Sequence, residues 1–484
     1  MRDVFFLVFL LACLFLAVKR PFLFILVYCY VDIVAPQRLS FFLLSKVPLS
    51  LIMFGLALVG WLVADNKKGM RADHLQVVIG LLLLYCGIST IYADFPAEAL
   101  DKWAWVWKAM VWSIFLPLVL RTRLRLEALA LTMVLSASAL AITGGLKTAL
   151  GGSGYGSLQL LLDDNSGLFE GSIFSTVAIA IIPLILWLAR HGTIFDPLKD
   201  NLHRMLVWGF ALCLVLACLL IPVGTQARTG LVCAALLFIF GLRDSKYKMR
   251  YITGVAVIGL MALPLLPSAF AARMGTITNH QSDESASTRV AVWKWTWDYV
   301  LDHPLGGGFD MYRQNELQVI KVIVKQSGGQ VTREEVPYTD KARAFHNSYF
   351  EMLGEQGFPG LILWLYLHVI CMIRMESLRR RYKTITDPEQ TWIRPLATAL
   401  QGGHIVYLLG AMFVGIAFQP FIWMMIAMQI GLHTYVKRRE QEARWRPISV
   451  QLGNAPAGPE GVGLLPVPID SSRPEPRGWS PQKG

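Results

Sequence analysis

Charge is scarce in this chain. Only 16% of its 484 residues are Asp, Glu, Lys or Arg, against about 25% in a soluble globular domain. With 55% hydrophobic residues and a mean hydropathy of +0.49, that shortage excludes a large water-facing surface and points to lipid as solvent. A concentrated basic patch is missing too. The net charge is +12, yet the cations sit in short clusters between apolar runs, which excludes the folded basic face of a nucleic-acid binder. Paired cysteines are absent as well. Cys13, Cys29, Cys86, Cys213, Cys218, Cys233 and Cys371 all lie in or beside apolar runs. None forms a Cys-x-x-Cys pair, so neither a zinc site nor a disulfide framework is expected, and they read as small packing residues. There is no His-Glu-x-x-His, no Walker A loop, no dinucleotide-binding glycine fingerprint, no Gly-x-Ser-x-Gly and no internal repeat.

What the chain has is long apolar runs. A membrane-crossing helix needs roughly 17–25 apolar residues. Runs fall at 3–18, 21–35, 46–64, 74–92, 103–120, 126–147, 172–190, 205–222, 229–242, 251–267, 348–373, 394–417 and 419–436. The expected fold is therefore an all-α polytopic membrane protein of about 12–13 transmembrane helices. The run Val4–Val18 lacks a small-residue cleavage site and leads through Lys19-Arg20-Pro21 into the next run, so it reads as a retained span. The basic clusters Lys19-Arg20, Lys67 to Arg71, Arg121 to Arg125, Arg190 to Arg204, Arg243 to Arg250, Arg374 to Lys383 and Lys437 to Arg439 all fall on one side of these spans. The positive-inside rule makes that side the cytoplasm, with the N-terminus outside and the C-terminus inside.

The expected organisation is an N-terminal transmembrane region over 1–147, a central one over 148–267, a large outer loop over 268–347, C-terminal transmembrane helices over 348–436 and a tail over 437–484. The large loop holds nine Lys/Arg and nine Asp/Glu between Ser268 and Phe345. It is too long for a connector and too polar for lipid. Its Trp293, Trp295, Trp297 and Tyr299, together with the apolar stretch Leu317 to Val324, predict a folded element, expected as helices over the membrane mouth. From about residue 450 the tail is rich in Pro and Gly and is expected to be disordered.

Several polar groups stand out. His346, in Phe345-His346-Asn347-Ser348, sits where the large loop re-enters the bilayer. A histidine there can accept a hydroxyl proton in its neutral form, or can simply cap a helix. Arg289 opens a helical pattern with Trp293 and Trp297; its guanidinium fork suits phosphate oxygens, or an ion pair with Asp283 or Glu284. Arg228, in Gly224-Thr225-Gln226-Ala227-Arg228-Thr229-Gly230, lies at an outer junction of two spans, facing a wet cavity or snorkelling to head groups. Asp163-Asp164-Asn165 reads first as a helix cap. Lys108 is a mid-span charge that needs an acidic partner or a cavity. Pro304-Leu305-Gly306-Gly307-Gly308-Phe309 is a turn signal. No metal-ligand spacing is present. Two arginines suit a diphosphate and a histidine suits a hydroxyl, which is equipment for transferring a group off a diphosphate leaving group.

The succession Arg228-Thr229-Gly230, then Arg289 with Trp293 and Pro304-Leu305-Gly306-Gly307-Gly308-Phe309, then Phe345-His346-Asn347-Ser348-Tyr349-Phe350-Glu351 through Gly354-Glu355-Gln356-Gly357-Phe358-Pro359-Gly360 resembles the bacterial O-antigen ligase and polymerase superfamily. The likeness runs from about Leu161 to Trp423. The N-terminal stretches Met1-Arg2-Asp3, Lys19-Arg20-Pro21 and Pro36-Gln37-Arg38-Leu39 are similar to O-glycosylation ligases associated with exosortase systems. The resemblance implies a GT-C-type glycosyltransferase in the bacterial inner membrane, its active site facing the periplasm. It implies an undecaprenyl-diphosphate-linked glycan as donor, lipid A core, protein or polysaccharide as acceptor, and no metal, nucleotide sugar or other cofactor. It implies that Arg228 and Arg289 hold the diphosphate and that His346 activates or orients the acceptor hydroxyl. Arg273, Asn347 and Lys108 are further substrate-binding candidates. The Ala227-Arg228-Thr229-Gly230 stretch departs from the Ser-Arg-Gly of many relatives, keeping the arginine in a different local backbone. A polymerase of the same fold is the nearest alternative. A polysaccharide transporter and a non-catalytic envelope scaffold are more distant ones.

Overall fold

The computed structural model describes residues 2–67, 70–150, 168–194, 201–262, 284–327 and 330–444. Residues Met1–Val436 form one compact unit and Lys437–Gly484 a second. In the second, Arg438 and Arg439 pair with Glu442 on the end of a helix.

Helices dominate. The first half contains α1 Arg2–Lys19, α2 Phe22–Val34, a single turn α3 Pro36–Leu39, α4 Leu49–Ala64, α5 His74–Ile91, α6 Pro96–Val119 and α7 Arg123–Ala149. It continues through α8 Gly171–His191, α9 Asn201–Gly224, α10 Arg228–Gly241 and α11 Lys248–Ala262. Beyond these come α12 Glu284–Asp302, a hairpin of β1 Glu316–Ser327 and β2 Gln330–Lys341, then α13 Ser348–Arg381, α14 Ile393–Gly410 and α15 Pro420–Arg444. Every expected apolar run carries a helix. By length and composition α5, α7, α8, α9 and α13 can each cross a membrane, and α2 and α4 are shorter apolar helices. The chain is a polytopic, predominantly helical membrane protein.

One expectation needs correction. The large loop is not all helix: after α12 the apolar stretch becomes β1, paired antiparallel with β2 from Glu316↔Lys341 to Ser327↔Gln330. The cause is in the residue types. Val319, Ile320, Val322, Ile323 and Val324 are all β-branched, which stiffens them toward extended backbone. Pro337, opposite Ile320, is tolerated because each strand of a two-stranded ribbon has a free edge.

The core is built from large apolar side chains on facing helices. Trp112, Trp364, Trp392 and Trp423 are all fully buried. Helix ends are held by side chains: Asp73 makes a capping box with Gln76 at the start of α5. Its carboxylate also receives both Arg374 Nη atoms from α13, at 2.8 and 3.1 Å.

The glycine run is more than a turn. Gly307 N–H donates to Gly354 O at 3.0 Å, Gly308 N–H to Glu355 O at 2.9 Å, and Phe358 N–H to Pro304 O at 3.0 Å. Asp94 N–H in turn donates to Gly307 O at 2.9 Å. These bonds need an interruption in α13, supplied at Gly357, whose φ is +60°. They also need naked backbone on the loop side. A Cβ at Gly308, where φ is +77°, would sit 2.4 Å from Ala93 Cβ. Backbone groups freed by the break in α13 are thereby paired again, which a polar group beside lipid requires.

Candidate active site

The segment carrying His346 is held from both ends. Asn315, itself fully buried, donates through Nδ2 to Arg343 O at 2.8 Å and accepts from Arg343 N–H at 2.9 Å. Trp293 on α12 donates through Nε1 to Phe345 O at 2.8 Å, and its ring stacks on Phe350 at 5.4 Å. On the far side Asn347 caps α13, its Oδ1 accepting from Tyr349 N–H at 2.8 Å and Phe350 N–H at 3.3 Å. Ser348 Oγ donates to Val414 O and accepts from Ile416 N–H, both at 2.8 Å.

Between these anchors His346 adopts φ +46°, a left-handed conformation that costs a non-glycine residue about 1–3 kcal/mol and persists where the surroundings over-determine it. The imidazole is half-buried. Burial, then the cations Arg289 and Arg343, push its pKa down to about 4. At neutral pH the ring is uncharged and can accept a proton or a hydrogen bond.

His346 opens onto a cavity of about 350 Å³. Its walls come from α3 (Arg38), α6 (Glu98, Asp101, Lys102, Trp105), the turn after the glycine run (Asp310, Tyr312, Arg313), α13 (Glu351, Glu355) and the α14–α15 connection (Gly415, Ile416, Phe418, Gln419). At its floor Lys102 Nζ lies 2.7 Å from both Glu351 Oε1 and Glu355 Oε1, and 4.0 Å from Asp310 Oδ1. The same ammonium sits 5.5 Å over the Phe309 ring and 5.7 Å over the Phe418 ring. Glu355 also accepts from Asp310 N–H at 3.1 Å, and Glu351 Oε2 from Ala417 N–H at 3.2 Å. Two glutamates one helical turn apart thus share one lysine, which is what permits carboxylates inside an apolar helix.

Sequence reasoning brings two of its candidates together. Arg289, half-buried on α12, is close enough to act electrostatically on His346. Arg228 is the first residue of α10, just after Gln226 at φ +54°, and does not line the cavity. Its neighbour Gly230 is packed so tightly that a Cβ would lie 2.6 Å from Pro222 Cγ and 2.7 Å from Ser175 Cβ. Asn347 is engaged as the α13 cap. Lys108 lies within electrostatic reach of Asp32 and Arg38 but is not part of the cavity wall. Arg273 and Asp163–Asn165 fall outside the described residues. Sequence reasoning misses Lys102, Glu351, Glu355 and Asp310. The signal for three of them is the pair Glu351 and Glu355 at i, i+4 in an apolar helix, which demands a buried cation.

A neutral imidazole on a polar cavity, with Arg289 and Arg343 acting on it, can meet a hydroxyl nucleophile while the arginines stabilise an anionic leaving group. No curated protein matches the chain. Residues 1–193 match a family of unknown function, DUF5935. Residues 213–365, which hold Arg228, Arg289, the glycine run and His346, match the O-antigen ligase family, Wzy_C.

Proposed function

We propose that this chain is an inner-membrane glycosyltransferase of GT-C type that moves a glycan from an undecaprenyl-diphosphate carrier to an acceptor hydroxyl at the periplasmic face. The observation that carries the reading is the half-buried, uncharged His346, flanked by Arg289 and Arg343, on a polar cavity in a chain whose residues 213–365 match the O-antigen ligase family. Arg289 and Arg228 neutralise the diphosphate as the anomeric C–O bond breaks, with Arg273 a further contributor. Charge stabilisation that grows along the reaction coordinate is what accelerates such a step. The cavity beside His346 receives the acceptor. Its aromatic walls, Trp105, Tyr312 and Phe418, offer apolar faces and its carboxylates offer hydrogen-bond acceptors, a combination suited to a polyhydroxylated molecule. Acceptors of this chemistry include a lipid A core sugar, a polysaccharide end and a protein hydroxyl.

The test is mass spectrometry of envelope glycoconjugates from cells with and without the protein, and with H346A in its place. Loss of one glycan from one class of molecule in both deficient strains is expected. An unchanged glycoconjugate profile would overturn the proposal. A ladder of added repeats made by the purified protein would replace the ligase reading with the polymerase one.

A further inference from the structure

We propose that Asp310 is the general base of this site, taking the proton from the acceptor hydroxyl, with His346 acting as a positioning group for the same hydroxyl. The assignment rests on the glycan-transfer reading above and goes beyond the arginine–histidine set.

Three carboxylates surround Lys102, and they are not equivalent. Glu351 and Glu355 are committed: each accepts a 2.7 Å hydrogen bond from Lys102 Nζ and one from a backbone N–H. Asp310 is different. Its oxygens meet cations only at ion-pair range, 4.0 Å to Lys102 Nζ and 3.8 Å to Arg313 Nε. Among the described residues no hydrogen bond reaches its carboxylate, although its side chain is only 20% exposed and lines the cavity with His346. Its lone pairs are available to a donor that enters.

The carboxylate is also pre-positioned. Phe309 before it is fully buried and packs against Phe418 at 5.3 Å. Its own N–H is tied to Glu355 Oε1, and its φ is +59°. The glycine run that precedes it is bonded to α13 through Gly354 O and Glu355 O. Fixing a base this way removes the cost of orienting it during reaction.

The electrostatics agree with the geometry. Burial raises the proton affinity of Asp310; Lys102 and Arg313 oppose the rise, Glu351 and Glu98 add to it, and the outcome is upward. His346 moves the other way, to about 4, which makes it a poorer proton acceptor than an ordinary histidine. Tyr312, on the same wall, has its phenol pushed up by burial and does not compete as a base.

In the step proposed, the acceptor oxygen forms a bond to the anomeric carbon as the carbon–oxygen bond to the diphosphate breaks. The bonding pair leaves on the diphosphate oxygen. The hydroxyl proton passes to an Asp310 oxygen, then to water or to the released diphosphate. Hydroxyl and glycosyl diphosphate become glycoside and free diphosphate, with no oxidant or metal in the balance.

The experiment uses the full chain in nanodiscs, supplied with undecaprenyl-diphosphate-linked oligosaccharide and envelope acceptor fraction from the expressing cells. Glycan transfer is followed against pH, and undecaprenyl diphosphate binding is measured separately. D310N is expected to slow kcat about 100-fold or more, to lose the part of the acid limb that Asp310 sets, leaving only the fall near pH 4 that His346 sets, and to leave undecaprenyl diphosphate binding intact. D310E should restore part of the rate with a displaced acid limb. Wild-type rate and profile in D310N would overturn the assignment and leave the parent reading standing. If D310N fails to bind undecaprenyl diphosphate, D310E decides: an undisplaced acid limb in it also overturns the assignment. If the wild-type chain transfers no glycan and releases no undecaprenyl diphosphate, the parent reading falls and the assignment with it.

Discussion

Lys102 and Glu355, 253 residues apart, meet at 2.7 Å with the Glu355 side chain wholly excluded from solvent. That contact ties α6 to α13 at the floor of the cavity, and it joins the match to a family of unknown function to the O-antigen ligase match.

Breaking this pair from one side should be severe. In K102M, Glu355 and Glu351 are left buried without their cation. A loss of about 3–5 kcal/mol is expected, because an uncompensated buried charge costs more than the pair contributes. The check is thermal unfolding in detergent followed by tryptophan fluorescence, with the triple variant K102M/E351Q/E355Q regaining part of the lost Tm. Equal Tm for K102M and wild type would contradict the buried-pair description.

The glycine run should tolerate no side chain. At Gly308 a Cβ would collide with Ala93 Cβ at 2.4 Å while φ stays at +77°. G308A is expected to lose more than the roughly 1 kcal/mol typical of an ordinary substitution, with lower Tm and lower folded yield. G241A, where a Cβ has open space around it, is the control and should be close to neutral.

His346 should not set the ordinary histidine limb of a pH–rate profile. Its pKa is about 4 in the folded chain, against about 6.5 when unperturbed. The sign follows directly. The depressed value means that folding favours the neutral ring, so the stability it contributes is fully present above about 6.5 and is lost as pH falls toward 4. Activity resting on the neutral ring should therefore persist through pH 6.5. NMR titration of a ring-labelled His346 checks this; a midpoint near 6.5 would contradict it.

In the C-terminal helices, His368 Nδ1 and His404 Nε2 are 2.6 Å apart, and His404 Nδ1 lies 3.2 Å from Gln429 Oε1. Both imidazoles are fully buried, so this polar chain stitches α13, α14 and α15. A double-mutant cycle of H368F and H404F is expected to give a coupling of about 0.6 kcal/mol and no more than about 1.7, the mean and maximum for interhelical hydrogen bonds in membranes. Zero coupling would reduce the pair to packing.

The spans are legible because lipid imposes a length that a run of apolar residues advertises, as in Gly171–His191. His346 is legible because it sits where polarity changes along the chain. β1 is not: Leu317 to Val324 has no clean alternation, and only its β-branched residues separate strand from helix. Lys102 is hidden for another reason. It lies at the foot of α6 among Asp101 and Trp103, while its partners lie far along the chain, and no local pattern records a pairing at that separation. Asp310 is hidden too, because among the described residues its carboxylate meets cations only at ion-pair range, a relationship that no local pattern records. The glycine run announces a turn but not the backbone bonds it makes to the break at Gly357.

The central claim is that His346 and Arg289 belong to one glycan-transfer site. The most direct measurement is release of undecaprenyl diphosphate from an undecaprenyl-diphosphate-linked oligosaccharide by the purified chain in proteoliposomes, for wild type, H346A and R289A. The account predicts acceptor-dependent release by wild type, with each variant slower by about 100-fold or more and still folded by its melting curve. Release that is equally fast in well-folded H346A and R289A would contradict it.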